Sequence, residues 1–188
     1  MNRSAIMKLS VKSRALDAVR VLKAHVRSNQ YWTTKLAELD SPRLKGDGAA
    51  RVHVAVFVEP YLSFVLDGTK TVESRFSINR CAPFEKVSIG DILLIKRSGG
   101  GVVAICEVTC TWYYHLDATA WKVIKNRFAP ALAIRDNAFW KSRERACFAS
   151  LFQINQVHNF DSLPFEKRDR RGWVVLPERE NQTVLFSA

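Results

Sequence analysis

The sequence predicts an α+β chain: a small, partly open β-barrel with short helices, preceded by an N-terminal helical extension. Three observations carry this expectation. From residue 52 onward, short β-rich runs alternate with short helical runs, a texture that suits a small barrel better than a βαβ sheet. Residues 10–27 instead repeat apolar side chains at helical spacing. The chain has 188 residues, 47% hydrophobic and 25% charged, which allows one core of ordinary composition.

In the extension, Val11, Ala15, Ala18, Val19, Leu22 and Val26 recur three or four apart, and the opposite face carries Lys12, Arg14, Arg20, Lys23 and Arg27. Ser10 or Ser13 is expected to cap this helix. A basic amphipathic helix either lies on a membrane or nucleic acid, or docks on its own domain with its charges in water. Residues 40–50, with Ser41-Pro42 and Gly46-Asp47-Gly48, read as a linker. The resulting division is 1–50 as basic helical extension and linker, 51–180 as the barrel domain and 181–188 as a C-terminal tail.

Within the barrel domain, residues 52–58 form an apolar, β-branched run that reads as a buried strand. Pro60 suits the first turn of a helix, where its missing N–H costs nothing, and Gly68 suits the end of that helix. Residues 71–76 read as a strand, as do 92–96 and 102–111, the last two joined through Ser98-Gly99-Gly100-Gly101 as a hairpin. Helices are expected at 117–127, capped by Asp117, and at 139–146. Strands at 147–157 and 172–176 complete the set.

Formal net charge is +11, an excess that draws polyanions and speeds encounters with them. Residues 1–51 carry 11 Lys/Arg against 4 Asp/Glu, and the remainder 18 against 14, so most of the excess falls in the N-terminal quarter. No apolar stretch approaches the roughly 18–20 residues of a membrane helix, and the first 30 residues lack an apolar signal core. An Arg-containing, acid-poor start also fits organelle targeting, beside the plainer reading as an extension. Cys81, Cys106, Cys110 and Cys147 form no metal-binding spacing. Cys106 and Cys110 share a strand face but lie about 13 Å apart, too far for a disulfide. Four reduced thiols, mostly buried, point to a cytoplasmic protein without metal or cofactor.

The richest run is 59–76. Strand alternation sets Thr71, Glu73 and Arg75 on one face, with Val72 and Ser74 on the other. Lys70 enters from the turn after Gly68. Two cations and a carboxylate thus gather beside the start of the Pro60 helix, where an anion is favoured. The corner either holds a phosphate or base carbonyl, or is a salt-bridged strand in which Glu73 satisfies Lys70 or Arg75.

Pro60-Tyr61, followed by Gly68-Thr69-Lys70-Thr71-Val72-Glu73-Ser74-Arg75-Phe76, resembles the signature of the ASCH (activating signal cointegrator homology) family: a Pro-aromatic pair, a short helix, then GxKxxExR and an aromatic. Gly90-Asp91 at a strand start and Gly172-Trp173 in a late strand extend the resemblance across residues 52–176. It implies a PUA-like β-barrel whose signature lines a cleft, and RNA, DNA or a modified nucleobase as ligand. Some small ASCH proteins are amidohydrolases of N4-acetylcytidine, using a Lys, a Thr three residues later and a distant Glu. Lys70 matches the Lys, but Glu73 stands where the Thr is expected. For a catalytic Lys70, with Glu73 as its companion, nearby cations lower the pKa and Glu73 raises it. Another ASCH type is a metal-dependent ribonuclease; Glu73 offers one oxygen to a metal, without a carboxylate cluster around it.

Aromatic and basic residues extend the candidate surface. Tyr113 and Tyr114 beside Trp112, and Trp140 with Lys141, Arg143 and Arg145, either stack unpaired bases or pack in the core. Trp173, among Val174, Val175 and Leu176, reads as core. The run Lys167-Arg168-Asp169-Arg170-Arg171 either grips phosphate or is a solvated loop. The expected ligand-binding set is Pro60, Tyr61, Lys70, Thr71, Glu73, Arg75, Tyr113, Trp140, Arg143 and Arg171. His25, His53, His115 and His158 have no partner at a motif spacing, and no P-loop or dinucleotide fingerprint is present. The function expected first is RNA or nucleobase binding; an amidohydrolase of acylated nucleosides, a ribonuclease and a protein-interaction module are the alternatives.

Overall fold

Strands whose apolar residues alternate in two directions need cover on both faces, and the architecture supplies it. The computed structural model describes residues 9–40, 50–167 and 170–177. Along the chain come β1 (Leu9–Ser10), α1 (Ala15–His25), α2 (Gln30–Leu39), β2 (Val52–Phe57), α3 (Tyr61–Leu66), β3 (Val72–Ser77), β4 (Ile92–Arg97), β5 (Val102–His115), α4 (Ala118–Phe128), α5 (Ala138–Lys141), β6 (Phe148–Leu163), β7 (Phe165–Glu166) and β8 (Trp173–Val175). Six strands form one curled, half-barrel sheet in the order β3-β6-β5-β4-β2-β8. β2 and β4 run parallel, and the other pairs are antiparallel. The α+β half-barrel is thus the fold class expected.

Alternation sorts the side chains of β2 and β4. Val52, Val54, Ile92 and Leu94 pack outward with Leu22, Trp32 and Leu36 of α1 and α2. Ala55, Phe57, Leu93 and Ile95 pack inward with Leu62, Phe152 and Trp173. A third cluster joins Val72, Ala149 and Leu151 to Ile124, Phe128 and Trp140, beneath α4 and α5. Long strands β5 and β6 serve all three clusters because register shifts interrupt their pairing and re-aim their side chains.

The N-terminal helices are part of this packing. The apolar face of α1 is buried on the sheet, and β1 pairs with β7 in parallel. Three of the five basic residues on its other face are paired: Arg14 with Asp17 at 3.0 Å, and Lys23 and Arg20 with Asp40 at 2.6 and 3.7 Å. The expected Ser10 or Ser13 cap is absent, because α1 starts at Ala15 behind Arg14, and Ser13 Oγ accepts instead from the Ser10 amide. Helix α2 is an element the sequence pattern does not predict. Two buried side chains, Trp32 and Leu36, anchor it; Asn29 accepts from the Trp32 amide, and Glu107 receives Tyr31 and Lys35.

Other boundaries shift. β5 continues through Trp112, Tyr113 and Tyr114 to His115, and β6 reaches Leu163. α5 stops at Lys141 rather than 146. Of the cysteines, Cys106 is buried whereas Cys81 and Cys147 are exposed, so the expectation of mostly buried thiols is corrected. The linker residues 41–49, Arg168, Asp169 and the tail 181–188 lie outside the described residues. Among the described residues, no helix is long and apolar enough to cross a membrane.

Gly101 marks a close approach between β5 and β6. A Cβ there would sit 2.4 Å from the Leu163 carbonyl oxygen and 2.6 Å from Ser162 Oγ. Gly101→Ala is expected to destabilise the fold by about 1–3 kcal/mol, the range of overpacking. Urea denaturation checks this; a change within the ~0.5 kcal/mol of ordinary surface substitutions would contradict it.

Candidate functional site

Three elements place the signature. Glu59 precedes the Pro60 N-cap of α3, and its carboxylate accepts from the Ser63 amide at 3.1 Å and pairs with Arg97 at 2.8 Å. The anion expected at this helix start is therefore supplied by the chain itself. Gly68, at φ 82°, turns the chain out of the helix. Lys70 N–H then donates to the Phe64 carbonyl at 2.7 Å, fixing where β3 begins. Cross-strand pairing sets Glu73 opposite Phe152 and Arg75 opposite Ser150, so both side chains turn into the barrel.

The result is a carboxylate between two cations. Glu73 Oε1 lies 2.7 Å from Arg75 Nε, and Glu73 Oε2 lies 3.4 Å from Lys70 Nζ. Lys70 and Glu73 are each only 4% exposed, so these are buried ion pairs rather than the surface pairs a strand would offer. Lys70 Nζ also donates to the Val72 carbonyl at 2.6 Å, and Arg75 Nη2 to the Val56 carbonyl at 2.9 Å. Arg75 Nε is close to Glu73 but misaligned for a hydrogen bond. The guanidinium lies 5.3 Å from the Phe57 ring centroid and 5.5 Å from that of Trp173. Burial holds the Lys70 ammonium below the ordinary lysine pKa; Glu73 opposes this, while Arg75 and Arg143 add to it.

These groups border an open cleft of about 230 Å³, with Tyr61, Phe76, Phe139 and Arg143 among its walls. Tyr61 meets Lys70 with its ring face, 5.9 Å from Nζ, and packs edge-on against Phe139. Arg143 is held over Phe139 by a hydrogen bond from Nη1 to the Phe139 carbonyl, 2.8 Å.

Of the residues expected here, Tyr61, Lys70, Glu73, Arg75 and Arg143 come together. Pro60 is exposed and starts α3, and Thr71 turns to solvent while its amide bonds the Ala131 carbonyl. Tyr113 is elsewhere: its hydroxyl donates to the Val87 carbonyl at 2.5 Å and accepts from the Val87 amide at 3.1 Å. Trp140 is 9% exposed, packed into the third core cluster with T-shaped contacts to Phe76 and Trp121, which leaves little of it for a ligand. Arg171 is exposed beside Gly172, whose position borders Arg75 Nη1.

Sequence reasoning missed Phe139, Phe57 and the role of Trp173. Phe139 precedes Trp140 in a four-residue helix, so the two rings point in different directions and the more accessible one faces the cleft. It also missed a buried relay. Trp173 Nε1–H donates to His53 Nδ1 at 3.3 Å, which leaves His53 Nε2 to face Asp91 Oδ2 at 2.9 Å. The partner of His53 stands 38 positions away, on the neighbouring strand start, beyond any local motif.

The chain is similar to the crystal structure of an ASCH protein from Zymomonas mobilis, with a TM-score of 0.55 and 11% identity, covering 70% of this chain and 91% of that one. Structures of a tyrosine-to-phenylalanine and a serine-to-alanine variant of that protein give TM-scores of 0.54 and 0.55 at 13% and 12% identity. Each covers 70% of this chain, and 94% and 92% of the variant chains respectively. No family model and no curated protein matches the sequence. The fold is ASCH-like, of the PUA-like type, as the GxKxxExR resemblance implied.

Removing Glu73 would leave two cations facing each other with little water to screen them. Glu73→Ala is expected to cost about 3–5 kcal/mol, the range for breaking a buried pair. The double variant Lys70→Met, Glu73→Leu should recover part of that loss. Equal stability of Glu73→Ala and wild type in thermal and urea unfolding would refute the buried-pair account.

Proposed function

We propose that this chain is an ASCH-type module that binds a nucleobase, carried in RNA or as a modified nucleoside, in the Lys70–Glu73–Arg75 cleft. The observation that carries the reading is the buried carboxylate clamped between two cations at the foot of an aromatic-walled cleft. A base edge alternates amine donors with carbonyl acceptors. Glu73 can accept from an amine, while Lys70 and Arg75 donate to a carbonyl. Tyr61 and Phe139 line the walls and offer apolar surface against which a base can pack. At about 230 Å³ the cleft is smaller than the roughly 300–1,000 Å³ typical of drug-sized ligand sites. A single base fits that scale; a paired base does not. The four free cysteines accord with a cytoplasmic setting for this role.

One observation favours a second reading, hydrolysis of an N-acylated nucleoside: burial lowers the pKa of Lys70, the direction that makes a lysine a base or nucleophile. Against it, Glu73 occupies the place where the ASCH amidohydrolases of N4-acetylcytidine carry a Thr. The pH dependence separates the two readings. A donor role needs the ammonium, so affinity falls as pH rises through the lowered Lys70 pKa. A base or nucleophile needs the amine, so turnover rises through the same inflection.

The test is titration of wild type and Lys70→Met with cytidine, N4-acetylcytidine and single-stranded RNA, following binding and product across pH. Binding is expected to weaken by about 10-fold or more in Lys70→Met, the scale of one charged hydrogen bond, without product. Product from N4-acetylcytidine, lost in Lys70→Met, would replace the binding reading with the hydrolase. Wild type that holds none of the three ligands would overturn both.

A further inference from the structure

A second groove, of about 300 Å³, adjoins the base cleft, and Phe76 and Arg143 line both. The outer groove belongs to β3 and to the loop between α5 and β6. Its side chains include Ile78, 62% exposed, and the exposed cations Lys141 and Arg145, with Glu144 as one acid between them. Arg143 stands at the junction, its Nη1 tied to Ser142 Oγ and the Phe139 carbonyl, each at 2.8 Å. A site of base size thus borders a groove carrying positive charge and one exposed apolar side chain.

Three cations, Lys141, Arg143 and Arg145, line this groove against the single acid Glu144. Residues 118–147, the excursion containing α4 and α5, carry 7 Lys/Arg against 2 Asp/Glu. The rest of the chain beyond residue 51 carries 11 against 12, so this excursion holds the whole positive excess of the barrel region. On α1, by contrast, Asp17 and Asp40 occupy three of the cations. Among the described residues neither Lys141 nor Arg145 forms an ion pair.

We propose that the outer groove is a phosphodiester site, so that the ligand of this protein is a single-stranded polynucleotide rather than a free nucleoside. This rests on the base-binding reading of the inner cleft and extends it. One unpaired base enters the inner cleft, Arg143 contacts the phosphate at the junction, and Lys141 and Arg145 take the next phosphates along the strand. Ile78 offers the neighbouring base an apolar contact. A duplex is disfavoured by the inner cleft, because a base must unpair and unstack before it can enter.

The experiment measures Kd for a mixed-sequence single-stranded RNA hexamer, for its four component nucleosides and for the hexamer annealed to its complement, over a series of salt concentrations. Lys141→Gln, Arg145→Gln is compared with Lys12→Gln, Arg27→Gln, which removes the same charge from exposed positions of the N-terminal extension. The hexamer is expected to bind more tightly than any nucleoside, and the duplex more weakly than the hexamer. In the groove variant the log–log salt slope should flatten by about 1.4, about 0.7 for each phosphate that is no longer neutralised, while the control keeps the wild-type slope. Nucleosides that bind as tightly as the hexamer would overturn the phosphodiester site and leave the base-binding reading standing. Equal slopes in the groove variant and the control would also overturn it, as would a duplex bound as well as the single strand. Wild type that binds neither hexamer nor nucleosides would remove both readings together.

Discussion

The ion cluster at Glu73 is the constraint on which much of this molecule depends. A carboxylate this deeply buried is tolerated only when opposite charge reaches it from inside the protein. Lys70 arrives from the turn that ends α3, and Arg75 from two residues further along β3. Arg75 is in turn held by the Val56 carbonyl and the faces of Phe57 and Trp173. Trp173 is tied through His53 to Asp91, and Asp91 accepts from the amides of Arg51 and Ser88. One polar chain therefore links the cleft to the starts of β2 and β4. The parallel pairing of those strands and the position of the guanidinium are parts of one arrangement. Such a network specifies a single core because each member would be costly to leave unpaired.

How legible this is in the sequence differs by element, for physical reasons. β2 and β4 read clearly because strands buried on both faces are continuously apolar. The GxKxxExR run reads clearly because a turn glycine and strand alternation together decide which side chains meet. α2 escapes notice because two anchors, Trp32 and Leu36, give too little periodicity, and its remaining support comes from Glu107 on a distant strand. The end of β5 is hard to place because Trp112, Tyr113 and Tyr114 carry the same apolar signal whether they lie in a strand or follow one. Their destinations are set by pairing with β6.

The site is half legible. Charged residues within one local run are placed together by the pattern, whereas aromatics contributed by distant elements are not. Trp140 and Phe139 are adjacent in sequence, yet one is sealed in the third core cluster and the other walls the cleft. No spacing rule distinguishes them; the short length of α5 and its seating on Phe76 and Trp121 do. His53 illustrates the same limit, since its partner Asp91 is defined by strand neighbourhood rather than by sequence separation.

Net charge misleads for a related reason. Counted along the chain, the excess falls mainly in the N-terminal quarter, yet several cations of α1 are paired with Asp17 and Asp40. What a polyanion meets is the unpaired charge on a surface, and ion pairing within the fold subtracts from the formal count. The α4–α5 excursion contributes fewer charges, but three of them, Lys141, Arg143 and Arg145, line a groove beside a cleft whose floor already presents donors and an acceptor. Charge next to a shaped cavity recruits and orients a ligand; the same charge on a paired helix face adds to solubility. A groove is therefore better judged by its unpaired cations and their distance from a built site than by the charge of the segment that carries them.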